Sequence, residues 1–382
     1  MSQGITAAKP RILVAPLDWG LGHATRVIPI IRLLKERNCT VIIAAKDRTR
    51  ELLEQEFPKL EYLELEGYGI QYSSKGWMLP FKIATQVPQI LSVIKKEHGW
   101  LSSVVADHSI DAVISDNRYG LYHHSIPTVL ITHQLRIKTG LGSLMDRFIQ
   151  QFNYQQINKF GFCWVPDHEN GLTLAGDLSH PSIFPSVPVK YISPLTRFSR
   201  LTQTEEKHLL VILSGPEPQR TIWEEMIIHQ LHAYKKPVVL VRGLPGNVDL
   251  PVVPSFVQVF NHLPAQELEN YIKASSFVIS RCGYSTIMDL LAMQKKSILV
   301  PTPGQAEQEY LAEHLMQHNL ALCIPQSKFR LAGALDLAAG FPYEQASRSS
   351  NLNEVMIDFL TRLDQLKTQK EKTLKPGSPS SL

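Results

Sequence analysis

Short apolar segments of strand length alternate with helical patterns along almost the whole chain. The first half has apolar runs at 11–17, 39–45, 60–66, 111–115, 127–132, 161–166 and 188–192. Most of these runs are separated by helical stretches at about 24–37, 47–56, 82–106 and 143–158. The pattern restarts with runs at 208–214, 237–242, 256–260, 275–281, 297–301 and 320–324. Continuous apolar strands joined by helices are typical of parallel sheets buried on both faces, so we predict an α/β chain of two doubly wound, Rossmann-like halves.

The boundary between the halves is expected in the polar stretch 197–206. We therefore predict an N-terminal domain over 1–200 and a C-terminal domain over 201–350, each large enough to bury a core. From Leu352 onward apolar residues recur at helical spacing, which predicts a helix over 351–366 whose apolar face docks, with the domain junction as a candidate. Residues 367–382 are charged and then rich in Pro and Ser, which predicts a disordered tail.

Composition excludes several classes of protein. The net charge is only +4 and the basic residues are scattered, so nucleic-acid binding is not expected. The 4 cysteines are far apart and form no CxxC, which fits a reducing cytoplasm better than a disulfide framework. No apolar run reaches the ~18 residues of a membrane span. The sequence therefore predicts a cytoplasmic protein.

The segment from Ile279 to Asp289 is the strongest candidate for a ligand site. An apolar strand leads into a turn of small and hydroxyl residues and then into a helix, where N–H groups accommodate a diphosphate. Asp289 is placed to accept hydrogen bonds from a ribose diol, and Gln308 and Glu309 follow the next strand, where they suit sugar hydroxyls. The turn residues assigned to the nucleotide are Ser280, Arg281, Gly283, Tyr284 and Ser285. Solvated helix starts are the alternative explanation.

A second candidate loop follows the first strand. Gly20 and Gly22 allow a tight turn and a close approach to a ligand at the start of a helix. His23 is a candidate general base, because an imidazole titrates near neutral pH. Asp18 either orients His23 or removes the proton itself, and the sequence does not decide between them. The alternatives are a histidine hydrogen-bonded to backbone and a turn-stabilising aspartate.

Polar clusters at two further strand ends indicate an acceptor pocket. Asp116, Asn117 and Arg118 follow one strand, and His133 follows the next, at the edge where open α/β sheets bind ligands. Solvated loops explain each cluster equally well when it is taken singly.

The first loop of the second half is an ambiguous phosphate turn. Ser214 and Gly215 fit such a turn, but Pro216 and Pro218 remove two N–H donors, and Arg220 is the candidate that restores positive charge.

A metal site is not predicted. His314 and His318 are four residues apart, as in zinc sites, but lack a third ligand, and no Asp-x-Asp occurs for a metal-bridged diphosphate.

Residues 280–313 resemble the C-terminal domain of glycosyltransferase family 28, in the GT-B group. That family includes the GlcNAc transferase that forms lipid II and plant monogalactosyldiacylglycerol synthases. Its pattern is a Ser-Arg-x-Gly turn, an acid, a Val-Pro pair and a Gln-containing loop, which correspond here to Ser280–Gly283, Asp289, Val300-Pro301 and Gln308. The run 259–263, ending at Leu263, resembles the family's loop beside the nucleotide base, and Gly22-His23 resembles its N-terminal Gly-His.

Four departures from the family pattern affect the donor half. The family acid is usually Glu rather than Asp289, Glu309 and Ala312 stand where Gln and Asn are common, and the second-half glycine loop has become Ser-Gly-Pro-Glu-Pro. These changes put the identity of the sugar in more doubt than nucleotide binding.

The resemblance implies a hexosyltransferase of GT-B architecture that uses a nucleoside-diphosphate sugar, with a UDP-sugar expected. It implies inversion by direct displacement, with no bound cofactor and no metal requirement. The acceptor, whether lipid, glycan or small molecule, cannot be read, although relatives often use lipid-linked acceptors at a membrane face. Leu135 to Phe160 mixes basic and apolar residues, which fits peripheral membrane contact and a core-packed helix equally well. A UDP-sugar 2-epimerase and a non-catalytic sugar-nucleotide-binding protein are the alternative functions.

Overall fold

The computed structural model describes residues 9–69, 85–140, 142–199, 205–246, 248–347 and 349–374. Two parallel sheets organise this part of the chain. The predicted α/β architecture of two doubly wound halves is confirmed. Each of the thirteen predicted strands is present, with ends that differ by at most three residues.

The first sheet has seven parallel strands. They are β1 (Arg11–Pro16), β2 (Thr40–Ala44), β3 (Glu61–Leu63), β4 (Ala112–Asp116), β5 (Thr128–Ile131), β6 (Phe162–Val165) and β7 (Val189–Tyr191). Their order is β3-β2-β1-β4-β5-β6-β7. Strands are therefore added on one side of β1 up to β3 and on its other side from β4 onward. The helices of this half are α1 (Leu21–Glu36), α2 (Asp47–Glu56), α3 (Val87–Asp107) and α4 (Ser143–Ile157). Positions 82–84, where we predicted that α3 begins, lie outside the described residues.

The second sheet has six parallel strands. They are β8 (His208–Ile212), β9 (Val238–Val241), β10 (Val257–Phe260), β11 (Ser275–Arg281), β12 (Ser297–Val300) and β13 (Leu322–Cys323). Their order is β10-β9-β8-β11-β12-β13, with the switch between β8 and β11. The remaining helices are α5 (Gln219–Tyr234), α6 (Ala265–Lys273), α7 (Tyr284–Ala292), α8 (Ala306–Gln317), α9 (Leu331–Gly340) and α10 (Leu352–Leu374). Open parallel sheets bind ligands beyond the carboxyl ends of the strands, at the point where the strand order reverses. Each sheet therefore has one edge where a ligand is expected, which we call its ligand edge.

The two halves are packed against each other. One cluster of buried apolar side chains continues from the first half into the second and includes Ile28, Ile192, Met288 and Leu315. The apolar contacts hold α1 against α7, so the two ligand edges meet in the middle of the molecule.

The last helix, α10, packs on the first half. Phe359 meets the Trp164 ring edge-on with 5.4 Å between ring centroids, and Lys367 pairs with Asp111 at 2.6 Å. The helix continues to Leu374, so residues 367–374 are not the disordered tail that we predicted. Their Lys, Gln and Glu residues are good helix formers, and the ion pair of Lys367 extends the docked face. The rest of the predicted tail, 375–382, lies outside the described residues, as do positions 200–204 of the predicted linker.

Candidate active site between the two sheets

The two loops that the sequence singled out lie in contact. Gly20 has φ of 87°, a left-handed conformation that glycine adopts without strain, and it precedes α1. From the opposite half, the Ser285 hydroxyl in the first turn of α7 donates to the Gly22 carbonyl at 2.8 Å. A Cβ added to Gly22 would stand 3.0 Å from that hydroxyl oxygen, so this position favours glycine. Two helix N-termini therefore meet at one place, which favours an anion between them.

His23 stands beside this contact and is oriented by Asp116. Its Nδ1 lies 3.0 Å from Asp116 Oδ2, and its side chain is 17% exposed. Burial is the main cause that lowers the pKa of His23, so the imidazole is neutral at neutral pH. No partner of Nε2 is found among the residues that the structure describes. A neutral histidine with one nitrogen held by a carboxylate and the other free is arranged as a general base.

Asp18 does not orient His23, which corrects one of the two predicted roles. Its carboxylate accepts a hydrogen bond from the Tyr68 backbone N–H at 3.1 Å and lies 3.4 Å from Arg118 Nη2. The β1–β4 register sets Pro16 opposite Asp116, and this pairing brings the Asp116 side chain to the turn. Asp18 instead fixes the segment at Gly67 and Tyr68. A direct role for Asp18 as base stays a prediction.

Arg26, which we did not identify from the sequence, lies behind His23 on the same face of α1. It is 2% exposed, and its guanidinium forks onto Asp116, with Nε 3.1 Å from Oδ2 and Nη2 bonded to Oδ1. Burial opposes ionisation of Asp116, but the charge of Arg26 and the hydrogen bonds from Arg26 and His23 outweigh it and hold the pKa of this carboxyl below its ordinary value. Asp116 is therefore an anion at neutral pH, as a partner of the histidine must be.

His133 joins the first half to the second. Its Nε2 lies 2.7 Å from Oε1 of Glu307 in α8, and Gln134 donates to the other Glu307 oxygen. Its ring stacks on that of Tyr284 at 4.0 Å, and Tyr284 donates to the Pro166 carbonyl at 2.8 Å. His133 was predicted on the acceptor side, whereas the structure places it at the junction. Glu307 was not identified from the sequence.

The Asp289 carboxylate contacts the segment that connects the two halves. It is buried, and it accepts a hydrogen bond from the Thr196 hydroxyl at 2.8 Å, with Arg197 Nε 3.7 Å from the other oxygen. Burial raises the pKa of this carboxyl against the opposing charge of Arg197. Its role with ribose stays a prediction, and a nucleotide that binds there has to compete with Thr196.

Gln308 and Glu309 shape the loop after β12. The Thr302 N–H donates to Gln308 Oε1 at 2.9 Å, and the Gly304 N–H donates to Glu309 Oε1 at the same distance. Both side chains thus hold a loop at the ligand edge, and their contact with a sugar stays a prediction.

The side chains of two predicted nucleotide-binding residues bind other protein groups. Arg220 is buried between Glu217 and Glu224, which lie 2.5 and 2.9 Å from its nitrogens, so it does not supply the free positive charge expected of it. Arg281 is 1% exposed and donates to the Gln326 side chain and the Gln219 carbonyl. Its guanidinium therefore holds the neighbouring loops together, and a nucleotide contact of Arg281 through its backbone N–H stays a prediction.

The other nucleotide candidates contribute mainly backbone and packing. The Ser280 hydroxyl donates to the Ile212 carbonyl at 2.9 Å, and Leu263 is 3% exposed. Gly283 precedes α7, and Gly215 has φ of 105°, which lets the chain turn after Ser214.

On the acceptor side, Arg118 is buried rather than available. It is 0% exposed and pairs with Glu97 of α3 at 2.7 Å, so the expected acceptor contact is corrected to a role in holding the loop. Asn117 has φ of 56°, and its buried Oδ1 has no hydrogen-bond partner in the described part of the chain. Asn117 therefore stays the best acceptor candidate of this cluster.

Among the described residues, none of the His, Cys, Asp and Glu side chains group as a metal site would require. In the same part of the chain, no helix has the length and apolar character needed to span a membrane. Near the start of α4 large apolar side chains face solvent, with Leu144 81% exposed and Phe148 71% exposed.

Comparison with known proteins finds similarity in the second half. Residues 256–362 match the model of the glycosyltransferase family 28 C-terminal domain. The chain is 28% identical over 187 residues to a UDP-N-acetylglucosamine--N-acetylmuramyl-(pentapeptide) pyrophosphoryl-undecaprenol N-acetylglucosamine transferase of Bradyrhizobium sp. strain BTAi1. This alignment covers 46% of the chain and 49% of that protein, so the chain spans about half the length of this relative.

Solved structures agree on the fold. The glycosyltransferase of kitacinnamycin superposes with a TM-score of 0.59 at 17% identity, over 94% of both chains. The spinosyn rhamnosyltransferase SpnG, complexed with thymidine diphosphate, gives 0.58 at 14% identity, over 94% of this chain and 96% of that one. These similarities show the GT-B fold, with its cleft between two Rossmann-like domains.

Proposed function

Because this chain is a GT-B protein with the C-terminal domain of glycosyltransferase family 28, we propose that it transfers a sugar from a nucleoside-diphosphate sugar to an acceptor hydroxyl. One observation carries the proposal. The start of α7 meets the Gly20–His23 loop through Ser285 and Gly22, and the His23–Asp116 pair stands beside that contact. The proposed diphosphate site and the proposed general base would thus adjoin, as transfer requires.

The donor that we propose is a UDP-sugar bound mainly by the second domain. The relative from Bradyrhizobium is named for UDP-N-acetylglucosamine, and SpnG was solved with thymidine diphosphate. The diphosphate would lie at the N-terminus of α7, the ribose at Asp289, and the sugar near Gln308 and Glu309. Thr196 would leave the Asp289 carboxylate when the ribose binds, because one oxygen cannot serve both at full strength.

The reaction follows from these positions. The acceptor oxygen attacks the anomeric carbon while the bond from that carbon to the diphosphate oxygen breaks, which inverts the centre. His23 Nε2 takes the acceptor proton, and Asp116 stabilises the imidazolium that forms. The N–H groups that begin α7 stabilise the negative charge that the departing diphosphate gains.

We propose a lipid-linked acceptor, brought by contact of α4 with a membrane surface. Leu144, Met145 and Phe148 are exposed together on α4, and Arg147 is exposed among them. Apolar side chains with a neighbouring cation suit an anionic lipid surface. The acceptor in the name of the Bradyrhizobium relative is an undecaprenol-linked glycan.

The test of transfer is nucleotide release with a panel of UDP- and GDP-sugars, followed by product analysis. His23→Ala should lower kcat by about 10² to 10⁴, the usual contribution of a general base, and leave donor affinity nearly unchanged. His229→Ala, on an exposed position of α5, is the control and should leave kcat unaltered. Formation of an epimer without nucleotide release would support the 2-epimerase, and binding without any product would support a non-catalytic protein.

The ribose assignment has its own test. Wild-type protein should bind UDP more tightly than 2′-deoxy-UDP, and Asp289→Ala should remove that difference. Thr196→Val frees the same carboxylate and should leave UDP affinity equal or higher. If Asp289→Ala bound both nucleotides as the wild type does, the assignment of Asp289 would be wrong.

A further inference from the structure

A chain of directed hydrogen bonds connects the two domains through the candidate base. The Arg26 guanidinium can only donate, so His133 Nδ1, 3.2 Å from Arg26 Nη1, must accept. His133 then carries its proton on Nε2 and donates it to Glu307 at 2.7 Å. Arg26 also donates to Asp116, which is the partner of His23. The tautomer of His133 is thus fixed by Arg26 of its own domain together with the Glu307 carboxylate of the opposite domain.

His23 Nδ1 has two competing neighbours. Asp116 Oδ2 lies 3.0 Å away and Arg26 Nη2 lies 2.8 Å away. Nδ1 either donates to Asp116 or accepts from Arg26, and it cannot do both. Only the first state leaves Nε2 without a proton and able to act as a base. In the second state, Nε2 carries the proton and the imidazole cannot accept another from the acceptor hydroxyl.

We propose that Glu307 is a positioning residue that sets the tautomer of His23 when the two domains close. With Glu307 on His133, His133 Nδ1 holds Arg26 Nη1, which keeps the guanidinium forked on Asp116. His23 Nδ1 then donates to Asp116, although Arg26 Nη2 is within reach. Without Glu307, His133 loses the acceptor for its Nε2 proton and ceases to hold Arg26. The Arg26 Nη2 N–H, which already lies 2.8 Å from His23 Nδ1, then donates to that nitrogen, and His23 changes to the tautomer that is not a base.

The location of Glu307 supports this role. It lies in the first turn of α8, and Tyr310 and His314 on the same face of that helix also contact the first domain. The Asp177 N–H donates to the Tyr310 hydroxyl at 2.8 Å, and His314 Nε2 donates to the Thr173 carbonyl at 2.8 Å. The face of α8 that carries Glu307 is therefore the face that packs on the first domain, and the hydrogen bond to His133 is part of this contact.

The decisive measurement is the tautomer of two histidines in the full chain, read from ¹⁵N spectra of histidine-labelled protein. The wild type should show His133 protonated on Nε2 and His23 protonated on Nδ1. Glu307→Ala should shift His23 toward Nε2 protonation, whereas Glu307→Gln, whose amide oxygen still accepts from His133, should restore most of the wild-type spectrum. Glu313→Gln, on an exposed position of the same helix, is the matched control.

The kinetic counterpart rests on the proposed function, since it needs turnover of a nucleotide sugar. Glu307→Ala should lower kcat at least about 10-fold, within the range of general-base catalysis, and Glu307→Gln should lose less. The donor KM should change far less than kcat. Thermal unfolding and nucleotide affinity show whether each variant is folded.

Failure of the inference and failure of the proposed function give different results. Absence of turnover in the wild type counts against the proposed function, while the histidine spectra still decide the inference. An unchanged His23 spectrum in folded Glu307→Ala protein overturns the inference, even where the wild type transfers sugar.

Discussion

Replacement of Asp116 by Asn should destabilise the first domain strongly, although the side chain keeps its shape. Asp116 is fully buried, and the Arg26 guanidinium that forks onto it is 2% exposed. An Asn offers one acceptor oxygen, so its NH₂ group would face a guanidinium that can only donate. Removing one partner of such a buried pair costs about 3–5 kcal/mol, because the remaining charge has no compensation. For a domain of this size, that corresponds to a decrease in Tm of roughly 6–20 °C.

The pH dependence of this effect has a definite sign. The folded-state pKa of Asp116 is held below its ordinary value. A carboxyl with a lowered folded pKa stabilises the fold above its unfolded pKa of about 4, and this contribution is lost as the pH falls through the folded pKa. Asn at this position does not titrate. The difference in stability between wild type and Asp116→Asn should therefore be complete at pH 7 and shrink below about pH 4.

Calorimetry across this pH range measures the effect, and a double variant tests its cause. Arg26→Met removes the buried charge, so Arg26→Met with Asp116→Asn should cost less than the sum of the two single changes. Additive costs, or a loss below about 0.5 kcal/mol in Asp116→Asn, the range of an ordinary surface substitution, would refute the reasoning.

Three further changes probe the fold and the surfaces. Phe359→Ala leaves a cavity beside Trp164 and should cost about 3–5 kcal/mol, measured by urea unfolding; an exposed helix would lose almost nothing. Tyr310→Phe leaves the Asp177 N–H without its acceptor and should cost about 0.5–1.5 kcal/mol; equal stability would mean that the contact between domains adds nothing. Phe148→Ser should stay within about 0.5 kcal/mol of wild type and should weaken binding to anionic vesicles, and unchanged vesicle binding would argue against α4 as the membrane contact.

The architecture could be predicted because most strands are short runs rich in apolar residues and bounded by polar turns. The same reasoning placed His23 and Ser285 at ligand edges, since each follows the carboxyl end of a strand in its sheet. That these edges meet was only implied by resemblance. The meeting of the two edges depends on the packing of α1 against α7. The apolar residues of these helices do not indicate in the sequence which buried surface they contact.

Arg26 could have been found from the sequence, whereas Glu307 could not. His23 and Arg26 are three residues apart in a helical pattern, so they share a face of the helix. An arginine on the same buried face as a candidate base indicates that an acidic partner is buried beside it. Glu307 bonds to His133 across 174 residues of chain and between domains. Nothing local distinguishes it from any acidic residue in the first turn of a helix, a common position for one. Asp18 was one candidate for orienting His23, but the strand register brings Asp116 to His23 instead.

Three successive residues at the start of α8 serve two purposes, contact with the first domain and support of the loop after β12. Glu307 hydrogen bonds to the first domain, through His133 and Gln134. Gln308 and Glu309 accept hydrogen bonds from Thr302 and Gly304 in their own domain, so they shape the loop after β12 without contacting the first domain through these bonds. Successive helical residues point about 100° apart, which gives each task its own side of the helix. Loss of Glu307 should therefore slow turnover while the donor still binds, and this separation is the physical reason to expect kcat and KM to respond differently.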